Sequence, residues 1–139
     1  MKILRTVKKI VSKEGVLHFK RFAIIECSLF SIYIHHIYKA DEDKHLHDHP
    51  WNYYSIILNG SMEEDSLTTD KNGIYRRLLK TFDTSYQKAE RFHKIYSLPD
   101  NKLISLFFTG PRFREWGYNV DGKWVDNVTY RKRKNENKL

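Results

Sequence analysis

Histidines at alternate positions are the clearest chemical signal in this chain. His45, His47 and His49 stand in the stretch KHLHDHPWNYYSIILNG, residues 44–60. Residues two apart on an extended strand point to the same face, so an H-x-H pair directs two imidazoles towards one ion. Neutral imidazoles bind a divalent metal at about 2.0–2.1 Å. We therefore predict that His47 and His49 are metal ligands, with His45 at the rim of the site or as a substitute ligand.

A tight metal site needs a third ligand, and His93 is the strongest candidate. It lies in AERFHKIYSL, a candidate strand about forty residues further along that can return beside the first strand in a barrel. Asp48 points away from the face that the histidines share, so we interpret it as a structural group rather than a ligand. The other histidines are interpreted as surface or hydrogen-bonded core residues: His18, His35 and His36.

A second metal motif fits the same stretch less well. HLHDH is similar to the H-x-H-x-D-H motif of metallo-β-lactamase-like hydrolases, but it lacks one residue and its Asp has the wrong offset. The chain is also short for that two-metal αββα fold and has no alternating pattern of helices. Gly-rich phosphate loops, nucleophile elbows and C-x-x-C pairs are absent from the sequence.

The composition is that of an ordinary globular protein. The chain has 139 residues, of which 40% are hydrophobic and 30% charged, and we expect one domain over residues 1–139. The single cysteine, Cys27, excludes an internal disulfide and favours a reducing compartment, so we expect a cytoplasmic location. No apolar run reaches the roughly 18 residues that a membrane-spanning helix needs.

The basic balance of the chain comes largely from its ends. The net charge is +8, and lysines and arginines are concentrated in residues 1–9 and 130–139. We interpret residues 129–139 as a solvated basic tail. Because no known nucleic-acid-binding module accompanies the charge, the sequence argues against nucleic acid as a partner.

The pattern of apolar residues predicts an all-β fold behind a short N-terminal helix. Apolar residues at helical spacing predict an amphipathic helix in residues 1–14, which Gly15 ends. Eight or so short β-rich stretches follow, and we expect a barrel or jelly roll. Hairpin turns are predicted at Asn59-Gly60 and Asp121-Gly122. The acidic residues 63–65 are expected to be a solvated strand end.

The histidines also resemble a known family, the cupins. The first cupin motif runs H-x-H, three or four residues, Glu, six residues, Gly. Here His47 and His49 are followed at the same intervals by Tyr53 and Gly60, so Tyr53 stands where the family has its Glu ligand. The second motif supplies one later histidine, for which His93 is the match, although its usual Pro-x-Gly is replaced by KAERFH.

A narrower resemblance covers residues 16–128. HDHPW together with TGPRFREWG is similar to a group of small cupin-like proteins found in bacteria and phages. The resemblance implies a double-stranded β-helix, or jelly-roll barrel, with a metal in the barrel mouth, and it supplies no substrate. Cupins commonly pair through edge strands, so it is compatible with a homodimer, which the sequence itself does not require.

With Tyr in place of Glu, the metal ligands would be the three imidazoles alone. Such a set suits Zn²⁺ and also Fe, Ni, Mn or Cu. Asp48 lies between the two histidines and on the opposite face, so it does not match the carboxylate of a 2-oxoglutarate oxygenase triad, which counts against such an oxygenase. We assign Tyr53 a hydrogen-bonding or acid/base role, and Arg112 the binding of an anionic substrate group, with pairing to Glu115 as the alternative. Trp51 and Trp116 are expected to pack as walls of the substrate pocket.

We therefore expect a metal-dependent enzyme that acts on a small anionic molecule. The reaction stays open between a dioxygenase-like oxygenase, an isomerase and a hydrolase. The alternative is a non-catalytic module that binds a nucleotide-like small ligand. A third hypothesis is a basic structural or nucleic-acid-associated protein, in which the histidines only stabilise a loop.

Overall fold

The computed structural model describes residues 5–139, which form eleven β-strands and one α-helix. In chain order these are β1 (Arg5–Val11), β2 (Leu17–Glu26), β3 (Ser31–Ile37), β4 (Tyr53–Gly60), β5 (Met62–Leu67), β6 (Ile74–Leu79), β7 (Thr84–Gln87), β8 (His93–Ser97), β9 (Leu103–Thr109), β10 (Gly117–Val120), β11 (Lys123–Asp126) and α1 (Asn127–Asn135). All strand pairs are antiparallel. The predicted all-β fold is confirmed.

The strands form two sheets. One has six strands in the order β1-β2-β3-β9-β4-β7, and the other contains β6-β5-β8 and the hairpin β10-β11. His47 joins these two pieces, because it bridges His93 of β8 on one side and Tyr118 of β10 on the other. The segment that carries the histidine pair is thus an internal member of the second sheet.

The space between the sheets changes from aliphatic to aromatic along β9. Leu103 packs with Ile57 of β4 and Leu79 of β6, so this cluster draws on both sheets. Four residues later on the same face of β9, Phe107 packs with Tyr33 and other aromatic side chains. The aliphatic cluster fills one end of the barrel, and the aromatic side chains line the other.

The predicted N-terminal helix is wrong for the residues that the structure describes. Residues 5–11 form β1 and pair with β2, while residues 1–4 lie outside the described part. The segment is rich in β-branched side chains, which favour a strand, and β2 offers its backbone groups as partners. Gly15, expected to end a helix, instead lies in the turn between β1 and β2 with φ +83°.

The predicted hairpin at Asn59-Gly60 is also wrong. β4 and β5 follow one another in sequence but belong to different sheets, because β4 pairs with β7 and β9 whereas β5 pairs with β6 and β8. Gly60 adopts φ +100° where the chain crosses between the sheets. Asn-Gly closes a hairpin in many proteins, but in this chain it redirects the backbone across the barrel.

The C-terminal end of the chain is more ordered than a solvated tail. The hairpin predicted at Asp121-Gly122 is confirmed as β10-β11, and Asp126 then caps α1 by accepting hydrogen bonds from the first backbone amides of the helix. Tyr130 of α1 is buried and stacks on Tyr118, with the ring centroids 3.6 Å apart. The basic residues of 129–135 therefore lie on a docked helix.

No helix in residues 5–139 is long and apolar enough to cross a membrane. The outer strands of the six-stranded sheet are β1 and β7, which leaves each with one unpaired edge in that sheet. Edge strands are the usual place for pairing with another chain. The homodimer stays a prediction.

The crossing at Gly60 gives a test of the fold. A Cβ at this position would lie against the backbone carbonyl oxygen of Lys102, well inside van der Waals contact, in addition to the strain of a positive φ. We expect Gly60→Ala to lower the free energy of unfolding by about 2–4 kcal/mol. Gly15→Ala is the control, because Gly15 shares the positive φ but has nothing within 4 Å of its Cβ position. Urea unfolding curves that show equal losses for the two variants would contradict the crossing geometry.

Candidate metal centre

The structure brings His47, His49 and His93 together on one wall of the barrel. Each of the three offers a ring nitrogen within 4.8 Å of the others, and Nε2 of His49 lies 2.8 Å from Nε2 of His93. The backbone holds this arrangement, since His47 and His93 exchange two hydrogen bonds of 2.9 Å. Two nitrogens that bind one ion at about 2.0–2.1 Å lie roughly 3 Å apart, which is close to the separation of the His49 and His93 nitrogens. The donor set fits a divalent metal.

Glu64 orients the third histidine, a role that its place in the sequence did not indicate. Its Oε2 accepts a hydrogen bond of 2.8 Å from Nδ1 of His93, which leaves Nε2 of that ring free to bind a metal. The expectation that residues 63–65 form a solvated strand end is wrong, because Glu64 is only 1% exposed. Arg77 and Arg91 donate hydrogen bonds to Oε1 of the same carboxylate, at 2.8 and 3.1 Å.

The position of Glu64 beside His93 follows from the pairing of β5 with β8, which the local sequence does not show. Glu64 on β5 lies beside Ile95 of β8, and Ser66, two residues later on β5, pairs with His93.

Burial alone would raise the pKa of Glu64, but the hydrogen bond from His93 and the positive charges around it hold that pKa well below its usual range. The carboxylate is therefore ionised and accepts the proton of His93 Nδ1.

Burial keeps the first two ligands neutral. It lowers the pKa of His47 to about 4, and it lowers that of His49 well below its ordinary value, with the neighbouring histidines adding to the effect. An imidazole must be unprotonated to bind a metal, so both rings are in the required state at neutral pH. Acidic groups near His47 oppose the shift without reversing it.

Asp48 fixes the segment that carries His47 and His49, which agrees with the structural role expected from the sequence. This carboxylate is 1% exposed and accepts hydrogen bonds from Gly117 N at 2.7 Å and from Trp124 Nε1 at 3.1 Å. Arg114 Nη1 donates to it at 2.8 Å and also to the carbonyl of His49 at 3.0 Å. HDHPW and REWG, two distant parts of the sequence pattern, are thus joined by one buried carboxylate.

The predicted Tyr53 and the two tryptophans surround the triad. The Tyr53 hydroxyl lies 3.5 Å from Nε2 of His93, and its ring is buried at the start of β4. Trp51 stacks on His49 at a centroid distance of 4.9 Å, and Trp116 lies edge-on to His47 at 6.2 Å. Both tryptophans therefore form walls beside the metal ligands.

Arg112 lies at the edge of the cavity beside the triad, and its side chain pairs with Glu115. Its guanidinium is exposed and pairs with Glu115 at 3.0 Å, which is the alternative weighed from the sequence. His45 bonds to Tyr130 through Nδ1 at 2.9 Å and is outside the triad. His35 is buried and accepts a hydrogen bond of 2.9 Å from Arg21 Nε, as expected for a hydrogen-bonded core histidine.

A cavity of about 810 Å³ opens from the triad to the surface. Trp51, Phe107 and Trp116 line it together with the three histidines and Tyr53. Its volume lies in the range of pockets that hold small-molecule ligands. Aromatic walls and a few convergent polar groups are the usual composition of such pockets.

Sequence comparison gives no relative for this chain. No protein-family model matches it, and a search of curated proteins finds no match. Solved structures, however, share its fold at low sequence identity. HppE with Fe(II) matches with a TM-score of 0.61 and 11% identity over 76% of this chain and 56% of that one. The chain thus spans a little over half the length of HppE.

Two further structures match over most of their own length. A putative mannose-6-phosphate isomerase from Ralstonia eutropha JMP134 has a TM-score of 0.58 and 13% identity over 67% of this chain and 84% of that one. An uncharacterised protein with a double-stranded β-helix domain from Klebsiella pneumoniae has a TM-score of 0.56 and 18% identity over 73% and 84%. The chain has the cupin fold. At these identities the likeness establishes the double-stranded β-helix and leaves the activity to the site.

The role of Glu64 can be tested on metal affinity. We expect Glu64→Gln to weaken divalent-metal binding about 10–100-fold. The reason is that the neutral amide no longer offers a negatively charged acceptor to the N–H group at Nδ1 of His93. Glu63→Gln is the matched control, since Glu63 faces away from the triad and bonds to Ser97. Titration calorimetry with the metal-free proteins measures both constants. Equal affinities in a Glu64→Gln variant with a normal circular dichroism spectrum would contradict the assignment.

The low pKa of His47 predicts an acid-sensitive metal-free protein. Its pKa is about 4 in the folded chain and ordinarily 6.5, so the unfolded chain binds more protons between these values. The free energy of unfolding should therefore fall as the pH is lowered through this window, by up to about 1.4 kcal/mol per pH unit for each such imidazole. Urea unfolding at several pH values measures the slope, which His47→Gln should make shallower. An unchanged slope in that variant would contradict the prediction.

Proposed function

We propose that this chain is a metal-dependent enzyme that acts on a small anionic molecule in its barrel cavity. The observation that carries the proposal is the triad of His47, His49 and His93, which opens onto the cavity. A divalent ion held there would act as a Lewis acid or as a redox centre towards a bound substrate. Fe, Zn, Ni and Mn are the candidates that an all-imidazole set accepts, and HppE, which shares the fold, contains Fe(II).

Tyr53 is the proposed acid/base group. Burial and the negative charge of Glu64 raise the pKa of Tyr53 above its usual value, so the phenol keeps its proton at neutral pH. In this state it donates a hydrogen bond to a substrate oxygen beside the triad, and it can pass a proton to that oxygen as negative charge develops. Trp51 and Trp116 would exclude water on either side of the reacting group.

The charge of the cavity supports an anionic substrate. Arg112 lies at its edge, where it pairs with Glu115, and other cations line its walls. A putative mannose-6-phosphate isomerase with the same fold is named for an anionic substrate. A binding module without turnover would use the same cavity, so the two functions differ in whether a bound ligand is converted.

Metal content is the first test of the proposal. The metal-free protein should take up about one divalent ion per chain, and the double variant His47→Ala/His93→Ala should lose it. His36→Ala serves as the control, because His36 stacks on Tyr38 away from the triad. Elemental analysis after dialysis gives the stoichiometry. Full metal occupancy in the double variant would eliminate the site.

Conversion of a ligand is the second part of this test. The metal-loaded protein is incubated with a panel of small phosphorylated and carboxylated molecules, with and without oxygen, and products are followed by NMR. For any substrate found, Tyr53→Phe should keep the metal and lower kcat about 100-fold or more. Tyr54→Phe, on the opposite face of β4, should leave kcat unchanged. Strong thermal stabilisation by a ligand that is never converted would favour the binding module.

A further inference from the structure

The lysines and arginines that line the cavity fall into two groups. Within residues 5–139, one group is paired with carboxylates: Lys39 with Glu42, Arg112 with Glu115, and Lys134 with Asp43. The other group has no carboxylate within 4 Å in the described chain: Lys8, Lys9, Arg21 and Arg131. Positive charge is therefore left over in the same cavity that contains the histidine triad.

Three of the four acidic residues that line the cavity already have a cationic partner, so they do not neutralise this excess. Glu64 is held by His93 and two arginines, and Asp43 accepts a hydrogen bond from Tyr118 as well as its lysine. Asp41 accepts from the backbone amide of Ile95 at 2.8 Å. The four unpaired cations therefore have no carboxylate partner among the described residues.

Arg21 is the most firmly placed of these cations. Its Nε donates to Nε2 of His35 at 2.9 Å, and its guanidinium lies 4.6 Å from the centre of the Tyr33 ring. These contacts hold the guanidinium through Nε and one face, and the two terminal nitrogens have no protein hydrogen bond among the described residues. Two terminal N–H groups in a fixed plane are the donors that bind an oxyanion bidentately.

The position of Arg21 relates it to the metal ligands. The guanidinium lies 5.9 Å from the centre of the Trp51 ring, and the same ring stacks on His49. One aromatic ring therefore lies against both a histidine of the triad and the guanidinium of Arg21, which places this cation close to the triad.

Lys8 and Arg131 line the same cavity as Arg21, although the three come from different elements. Desolvation, and then the charges of Arg21 and Arg131, lower the pKa of Lys8 to about 8. Lys8 comes from β1, Arg21 from β2 and Arg131 from α1, where its guanidinium lies 5.7 Å from the Trp116 ring. The fold thus brings like charges towards one another at the cavity, an arrangement that an anion would stabilise.

We propose that Lys8, Arg21 and Arg131 form a binding site for the phosphoryl group of the substrate. A phosphate monoester carries about two negative charges at neutral pH and three acceptor oxygens, whereas a carboxylate carries one charge and two oxygens. The surplus of cations and the two unbonded terminal nitrogens of Arg21 match a phosphate monoester better than a carboxylate. The inference rests on the proposed function in that it assigns this phosphoryl group to the molecule whose other end faces the triad.

Binding of phosphate probes tests the site. Calorimetric titrations use inorganic phosphate, phenyl phosphate and benzoate, with metal-loaded and metal-free protein. We expect phenyl phosphate to bind more tightly than inorganic phosphate, because its ring contacts the aromatic walls, and more tightly than benzoate, because of charge. Arg21→Gln and Arg131→Gln should each raise the Kd for phenyl phosphate about tenfold or more. Arg133→Gln, on the same helix but outside the cavity lining, should change it less than twofold.

The outcomes separate this inference from the proposed function. Unchanged Kd values in Arg21→Gln and Arg131→Gln, or benzoate binding as tight as phenyl phosphate, would overturn the phosphoryl site. Arg131 is exposed, so its variant tests the site even where Arg21→Gln disturbs folding. Metal content is measured on the same samples. Phosphate binding that depends on Arg21 and Arg131 in a protein that takes up no metal would uphold the site and overturn the proposed enzyme.

Discussion

The carboxylate of Asp48 is the interaction on which the rest of the site depends. It is almost completely buried and joins the histidine segment to Arg114, Gly117 and Trp124, which lie more than sixty residues further along the chain. Breaking a buried charge pair by removing one partner typically costs about 3–5 kcal/mol, because it leaves the other charge without compensation. Without this carboxylate the histidine segment, which lies between β8 and β10 in the sheet, would keep its backbone hydrogen bonds but lose its side-chain tie to Arg114 and Trp124.

A second buried carboxylate complements the first from the opposite side. Asp48 positions the backbone that carries His47 and His49, while Glu64 orients the ring of His93 directly. Both carboxylates are satisfied by arginines and by backbone or side-chain donors, so they are internal parts of the framework, although Glu64 also lines the cavity. The acidic charge of the barrel is therefore used to build the site, and the cations that remain free set the charge that a ligand meets.

The sequence predicted more of the site than of the connections between strands. The shared face of His47 and His49 follows from the two-residue period of an extended strand, which is a local property of the sequence. His93 was chosen because it lies on a later strand that can return beside the first. Residues 5–11 and Gly60 were misassigned because the same local patterns suit two structures. A β-branched segment becomes a strand only when an edge is available, and a positive φ can close a hairpin or redirect the chain.

By itself, the sequence determined the β-rich character of the chain, the shared face of His47 and His49, and His93 as the histidine that lies beside them. These depend on residue type and short-range spacing, which the chain carries locally. Tertiary structure alone decided that Glu64 is buried against His93, and that Lys8, Arg21 and Arg131 meet at one cavity. Such groups come from strands and a helix that are distant in sequence, and their burial and mutual charge exist only once the two sheets have closed around the same space.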